Sequence, residues 1–117
     1  MQDGTPDGDL TIRTVAMPAD VNTSGDIFGG WVLAQMDIAG GIYAAEYCRQ
    51  RVVTVAVEAM RFWKPVHTGD ILSGYCRVVK TGNTSVAVKI EAWVNRKLST
   101  DMLKVTEGVF KIGRAHV

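Results

Sequence analysis

Between Trp31 and Cys48 almost every residue is apolar. Trp31, Val32, Leu33, Ala34, Met36, Ile38, Ala39, Ile42, Tyr43, Ala44, Ala45 and Tyr47 fall on every side of a helical wheel, and only Gln35, Asp37 and Glu46 are polar. A surface helix shows one apolar stripe and one polar face, whereas a helix apolar all round has to be buried all round. The segments on either side alternate as strands do, so this run, opened by Phe28-Gly29-Gly30, is the chain's only substantial helix. Whatever the fold, it must enclose that helix. Gly40-Gly41 in its middle costs about 1 kcal/mol each relative to alanine, which points to the close approach of another backbone or of a ligand. Asp37 is harder to accommodate, because a buried carboxylate is expensive unless it is paired or hydrated.

The rest of the chain supplies the enclosure. Residues 1–9 are rich in Gly, Pro and acids and are expected to be a disordered lead-in to a single domain over 10–117. Leu10–Ala16 alternates as a first strand that Pro18 ends, and Ala19–Asp26 has the composition of a turn-rich loop. After the helix, strands are predicted over 51–62, 71–80, 85–96 and 102–112. A turn at 64–70, a hairpin at Thr81-Gly82-Asn83-Thr84 and a loop at 98–101 join them. In 51–62 the valines Val53, Val55 and Val57 share a face opposite Thr54, Ala56 and Glu58. In 85–96 Val86, Val88, Ile90, Ala92 and Val94 share the face to be buried. The short connections make the four strands after the helix antiparallel neighbours. The expected class is α+β, a five-stranded antiparallel sheet wrapped around one long central helix. One curved sheet leaves part of an all-apolar helix bare, so at least a dimer is expected.

Composition removes several function classes. The chain of 117 residues is one domain, 47% hydrophobic and 21% charged. A net charge of +1 gives no field for nucleic acid. The helix carries Asp37 and Glu46, which makes it a core helix rather than a membrane span. The acidic, polar N-terminus does not read as a secretory signal. Cys48 and Cys76 lie in apolar runs and read as buried free thiols in a reducing compartment, hence a cytoplasmic protein. His67 lies in a turn and His116 near the end of the chain. No spacing supports a triad, a metal site or a nucleotide-binding loop, so no cofactor is expected.

Phe28-Gly29-Gly30 at a helix start offers free backbone N–H groups and the positive end of the macrodipole, a fit for a developing oxyanion. It reads equally as a plain turn. Asp37 lies seven residues past Gly30 on the same face, about 10 Å along the axis. One carbonyl carbon cannot touch both on a straight helix, so water, an irregular helix start or a second subunit has to bridge them. From spacing alone Asp37 is as readily a hydrogen-bonded carboxylate at a dimer seam. Asn22 suits a turn or cap. Asp26 is a candidate loop-orienting acid, and Glu58 reads as a solvated or paired acid.

These residues resemble a known family. Arg13-Thr-Val-Ala-Met-Pro-Ala-Asp20, Asn22-Thr-Ser-Gly-Asp-Ile-Phe-Gly-Gly-Trp31 and Gln35-Met-Asp-Ile38 are similar to the hot-dog acyl-CoA thioesterases of the YciA type. Arg51-Val-Val-Thr-Val55, Pro65-Val66, Gly69-Asp70 and Gly82-Asn-Thr-Ser-Val86 extend the likeness over most of 10–112. The resemblance implies a hot-dog fold and hydrolysis of short-to-medium, broad acyl-CoA thioesters to free acid and coenzyme A. Asp37 matches the catalytic carboxylate, as base or nucleophile. Asn22 matches a residue holding the thioester or water, and Gly29 and Gly30 match the carbonyl-binding amides. Coenzyme A would enter as part of the substrate. It implies a homo-oligomer with sites at dimer interfaces, assembled as a dimer of dimers or a trimer of dimers. Asp26, Phe28, Thr84 and Ser85 are the expected substrate-binding residues. Arg51, Arg61, Lys64, Lys80, Arg96 and Lys97 are candidates for the phosphates of coenzyme A. The family continues past the last strand, whereas this chain stops at Val117. The alternative is a non-catalytic acyl-CoA-binding dimer. A hot-dog dehydratase is disfavoured because it would want a helix histidine.

Overall fold

The computed structural model describes residues 4–96 and 98–114. Strand β1 (Asp9–Val15) leads through a short 3-10 turn (Pro18–Asp20) to helix α1 (Gly29–Cys48). Strands β2 (Val52–Phe62), β3 (Ile71–Thr81), β4 (Ser85–Asn95) and β5 (Met102–Arg114) follow, within one or two residues of the predicted limits. They form one sheet in the order β1-β3-β4-β5-β2, every neighbouring pair antiparallel. β2 and β3, expected as neighbours because a short turn joins them, are not paired: β2 crosses to the far edge from β1 and pairs with β5, and α1 fills the space that the crossing spans. This is the hot-dog arrangement.

Packing of α1 is close on one side. Val32, Met36, Ala39, Gly40 and Ala44 recur at helical spacing and are buried against the sheet, where β4 sends Val86, Val88, Ile90, Ala92 and Val94. Each fully buried Val or Met contributes about 1.5–3 kcal/mol relative to exposure. Gly40 is what lets the helix lie so near. A Cβ there would stand 2.7 Å from Cδ1 of Ile90 and 3.2 Å from Cδ1 of Ile112. Gly41, one residue on, would meet no described atom within 4 Å, so the expected close approach holds for one glycine of the pair.

As expected, the helix is not covered all round within one chain: Ile38 (51% exposed) and Ile42 face away from the sheet. A single sheet can cover only one side of a cylinder. On β2 Val53 and Val55 are exposed, Val55 at 60%, while Thr54 and Val57 turn toward the side of the sheet that holds Ile112 and Phe110. Two bulges, between Thr54 and Ala56 and between Glu58 and Arg61, break the strict alternation there. The lead-in is also more ordered than expected. Asp9 opens β1, and Asp7 is hydrogen-bonded to Arg77, Lys89 and Glu91. Residues 1–3 and 115–117 lie outside the described residues.

The turn before β3 is fastened by a buried acid. Asp70, 2% exposed, accepts the backbone N–H of His67 at 2.8 Å and Arg96 Nε at 3.2 Å. Gly69 has φ +90, a conformation that glycine adopts without strain. Cys76 is buried, and burial pushes its thiol up to about 11, so it is an inert core residue.

Gly40→Ala is expected to destabilise the protein by about 1–3 kcal/mol through overpacking. This should hold although alanine is the better helix former by about 1 kcal/mol. Adding Ile90→Val, which shortens the clashing side chain, should recover part of the loss in a denaturant titration.

Candidate active site

α1 begins without a cap. Phe28 holds the N-cap position but makes no side-chain hydrogen bond, and its carbonyl accepts the N–H groups of Trp31 at 3.0 Å and Val32 at 3.3 Å. No acid stands in the first turn. The amides of Gly29 and Gly30 have no acceptor among the described residues, so the positive end of the helix is open to an anion or a carbonyl oxygen. A Cβ on Gly30 would reach into open space, while one on Gly29 would lie 3.8 Å from the ring of Phe62.

Antiparallel return of β2 along the helix builds a groove from this end downward. Gly30, Leu33, Ala34 and Asp37 form its helix wall, Thr54 and Val57 its strand wall, and Phe110 of β5 its floor. The cavity holds about 270 Å³. Asp37 stays exposed within it, and Thr54 Oγ1 donates to Asp37 Oδ1 at 2.5 Å. The carboxylate therefore has one oxygen held by a hydroxyl and the other free, in a channel that is otherwise apolar. A carboxylate positioned in this way can take a proton from water.

The other expected site residues fall elsewhere. Asn22 organises its own loop. Its Oδ1 accepts the N–H groups of Ser24 at 2.9 Å and Asp26 at 3.1 Å, and its backbone N–H donates to Asp26 O at 2.7 Å. Asp26 also stands 3.6 Å from His67 Nε2, and Ile27 N–H bonds Val66 O at 2.9 Å, which pins the loop to the turn before β3. Phe28 is exposed at the helix mouth. Thr84 and Ser85 sit at the β3–β4 hairpin, where Thr84 O accepts the N–H of Arg114 at 3.0 Å. Ser85 lines a second groove of about 330 Å³ with Glu58, Lys80 and Lys111. Phe110 and Val57 line the first groove and their neighbours Lys111 and Glu58 the second. Successive residues of a strand point to opposite faces, so the second groove is on the outer face of the sheet.

Within one chain, then, Asp37, Gly30 and the adjacent Gly29 are brought together. Asn22, Asp26, Thr84 and Ser85 do not join them. Of the candidate phosphate binders, Arg96 is committed to Asp70 and the Pro65 carbonyl. Arg51, Arg61 and Lys64 are exposed, Lys80 lines the outer groove, and Lys97 lies outside the described residues. Thr54 is the residue that the sequence reading missed. Its signal was present: a lone hydroxyl among Val52, Val53, Val55 and Val57 on the strand that follows the helix.

Fold and groove together define a hot-dog thioesterase scaffold. Residues 24–98 match the model of the thioesterase superfamily, and the chain belongs to that family. Among curated proteins it is 52% identical over 109 residues to the acyl-CoA thioester hydrolase YciA of Escherichia coli K12, covering 91% of this chain and 83% of that protein. Among solved structures it matches a hexameric thioesterase from Yersinia pestis with a TM-score of 0.90 and 49% identity, over 96% of this chain and 91% of that one. A hexameric broad-specificity acyl-coenzyme A thioesterase matches with a TM-score of 0.89 and 43% identity, over 97% and 78%.

Thr54→Val, which keeps the side-chain shape and removes the hydroxyl, is expected to lower kcat by about ten- to a hundredfold, the value of a hydrogen bond to a charged group. The measurement is steady-state thioester hydrolysis with a free-thiol readout, and stability should change little.

Proposed function

We propose that this protein hydrolyses short-to-medium-chain acyl-CoA thioesters, with broad specificity, to the free acid and coenzyme A. The observation that carries the reading is Asp37, held by Thr54 inside an apolar groove whose other end is the uncapped start of α1. Asp37 takes a proton from water, the resulting hydroxide adds to the thioester carbonyl, and backbone amides at Gly29 and Gly30 receive the oxyanion. Collapse of the tetrahedral intermediate expels the thiolate of coenzyme A, which regains the proton. The similarity to curated acyl-CoA thioester hydrolases supports the substrate class. Coenzyme A arrives with the substrate, and the described residues contain no cluster suited to a metal ion.

Gly30 and Asp37 stand about 10 Å apart along the helix, so one chain cannot place both on one carbonyl. A second copy solves the distance. The edge strand β2 exposes Val53, Val55 and Val57, and α1 exposes Ile38 and Ile42. Joining two chains there covers this apolar surface and pairs the free edge of β2. It also sets one chain's Asp37 near another chain's helix start and Asn22 loop. Trimers of such dimers accord with the hexameric relatives. No helix among the described residues is long and apolar enough to cross a membrane, and with two free thiols we place the protein in the cytoplasm.

Asp37→Asn is expected to lower kcat by about 10²–10⁴-fold on a panel of acyl-CoAs with the fold intact. Unchanged turnover would remove Asp37 from the mechanism, and a wild-type protein that binds acyl-CoA without releasing thiol would make it a binding protein. Val55→Glu should yield smaller species by sedimentation and lose hydrolysis in parallel, as a shared site requires.

A further inference from the structure

The outer face of the sheet carries a charge network that thioester hydrolysis does not use. On this face β4 presents Lys89, Glu91 and Trp93. Glu91 is 3% exposed, and a carboxylate so buried is tolerated only when its oxygens are fully engaged. Its Oε1 accepts the indole N–H of Trp93 at 2.9 Å and the backbone N–H of Asp7 at 3.1 Å. Its Oε2 faces Lys89 at 3.3 Å and Lys104 at 3.2 Å. Asp7 Oδ2 in turn accepts Arg77 Nε at 2.9 Å and Lys89 Nζ at 2.5 Å. Lys104 also pairs with Glu107 and stands 5.1 Å over the ring of Trp63. Three cations (Arg77, Lys89, Lys104) therefore meet three carboxylates (Asp7, Glu91, Glu107). Without Asp7 the cluster is left with one positive charge in excess.

The backbone of the same segment is fitted to the sheet. Gly8 has φ +115, and a Cβ there would lie 2.4 Å from the carbonyl oxygen of Cys76 on β3, so only glycine allows this approach. Gly4, Thr5 and Pro6 continue alongside Met102 and Leu103 at the start of β5.

We propose that residues 4–8 are a charge-locked strap that shields Glu91 and Trp93 on the outer face of the sheet. Asp7 is the latch, and the strap opens as an event separate from unfolding and from the Asp37 groove. Titration of the latch agrees in sign. The hydrogen bond from Lys89, with that from Arg77, holds the Asp7 carboxyl below its usual range. Burial pushes Glu91 up, but the Asp7 N–H, Trp93 and Lys104 outweigh burial and hold it below. The Asp7 carboxyl, lowered by contacts that exist only in the docked state, favours docking above its ordinary value, and that advantage is lost as pH falls through the lowered one. Acid release therefore lies below the ordinary Asp7 value of 3.8, and a neutral side chain at position 7 reproduces it at pH 7.

The test compares wild type with Asp7→Asn in the intact oligomer at pH 7, by hydrogen exchange and by 19F NMR of 5-fluorotryptophan-labelled protein. Trp93→Phe assigns the Trp93 signal. The strap predicts exchange on the order of tenfold faster in residues 4–9, as expected for the loss of charge-assisted bonds. The Trp93 signal should shift, while acyl-CoA hydrolysis is unchanged. Asp9→Asn, whose carboxylate instead accepts from Tyr43 on α1, should show neither change in the strap nor a Trp93 shift. Exchange and fluorine signals identical to wild type in Asp7→Asn would overturn the proposal. So would loss of the whole sheet together with hydrolysis, since the segment would then be inseparable from the core.

Discussion

Everything in this molecule depends on α1 lying close against the concave face of the sheet. Gly40 permits the approach, and Val32, Met36, Ala39 and Ala44 fill the contact. Because the contact is close, the outer edge of α1 runs directly beside β2, and the two form the walls of a groove rather than separate surfaces. A larger residue at position 40 would lift the helix and widen that groove as well as weaken the core. Packing and site geometry are here a single variable.

The same arrangement leaves apolar surface bare on a single chain. A sheet of five strands covers one side of the helix and leaves Ile38, Ile42 and the valines of β2 in water. Exposed apolar area of this kind beside an unpaired strand edge marks an association surface. Asp37 and the free amides of Gly29 and Gly30 border it. The bare apolar surface and the candidate site therefore lie side by side.

The two faces of the sheet divide the work. The inner face is apolar and holds the helix and groove. The outer face concentrates charge around Glu91 and is covered in part by the N-terminal segment. Alternation along β2 and β5 sends Val57 and Phe110 one way and Glu58 and Lys111 the other, so the two grooves are separated by the sheet itself. Ser85 consequently belongs to the outer surface, however close it is in sequence to residues that line the inner one.

Local pattern was enough for the single helix, the five strands within a residue or two of their limits, the antiparallel sense of the sheet and the buried face of β4, but not for the strand order, since it made β2 and β3 neighbours. Periods of 3.6 and 2 are local properties, and here they are strong. It also marked Asp37, since a lone carboxylate in an apolar helix is visible without coordinates, and a glycine pair at the helix start. The pairing of Asp37 with Thr54 was settled only by tertiary structure, because it depends on how β2 passes the helix at a separation of 17 residues. The same holds for β2, where a bulge between Thr54 and Ala56 turns Val57 inward and breaks the shared valine face. The anchoring of Asp7 to Glu91, eighty-four residues away, has no local signature at all. Composition marks such a segment as a free tail, and only the charges assembled by three adjacent strands make it part of the fold.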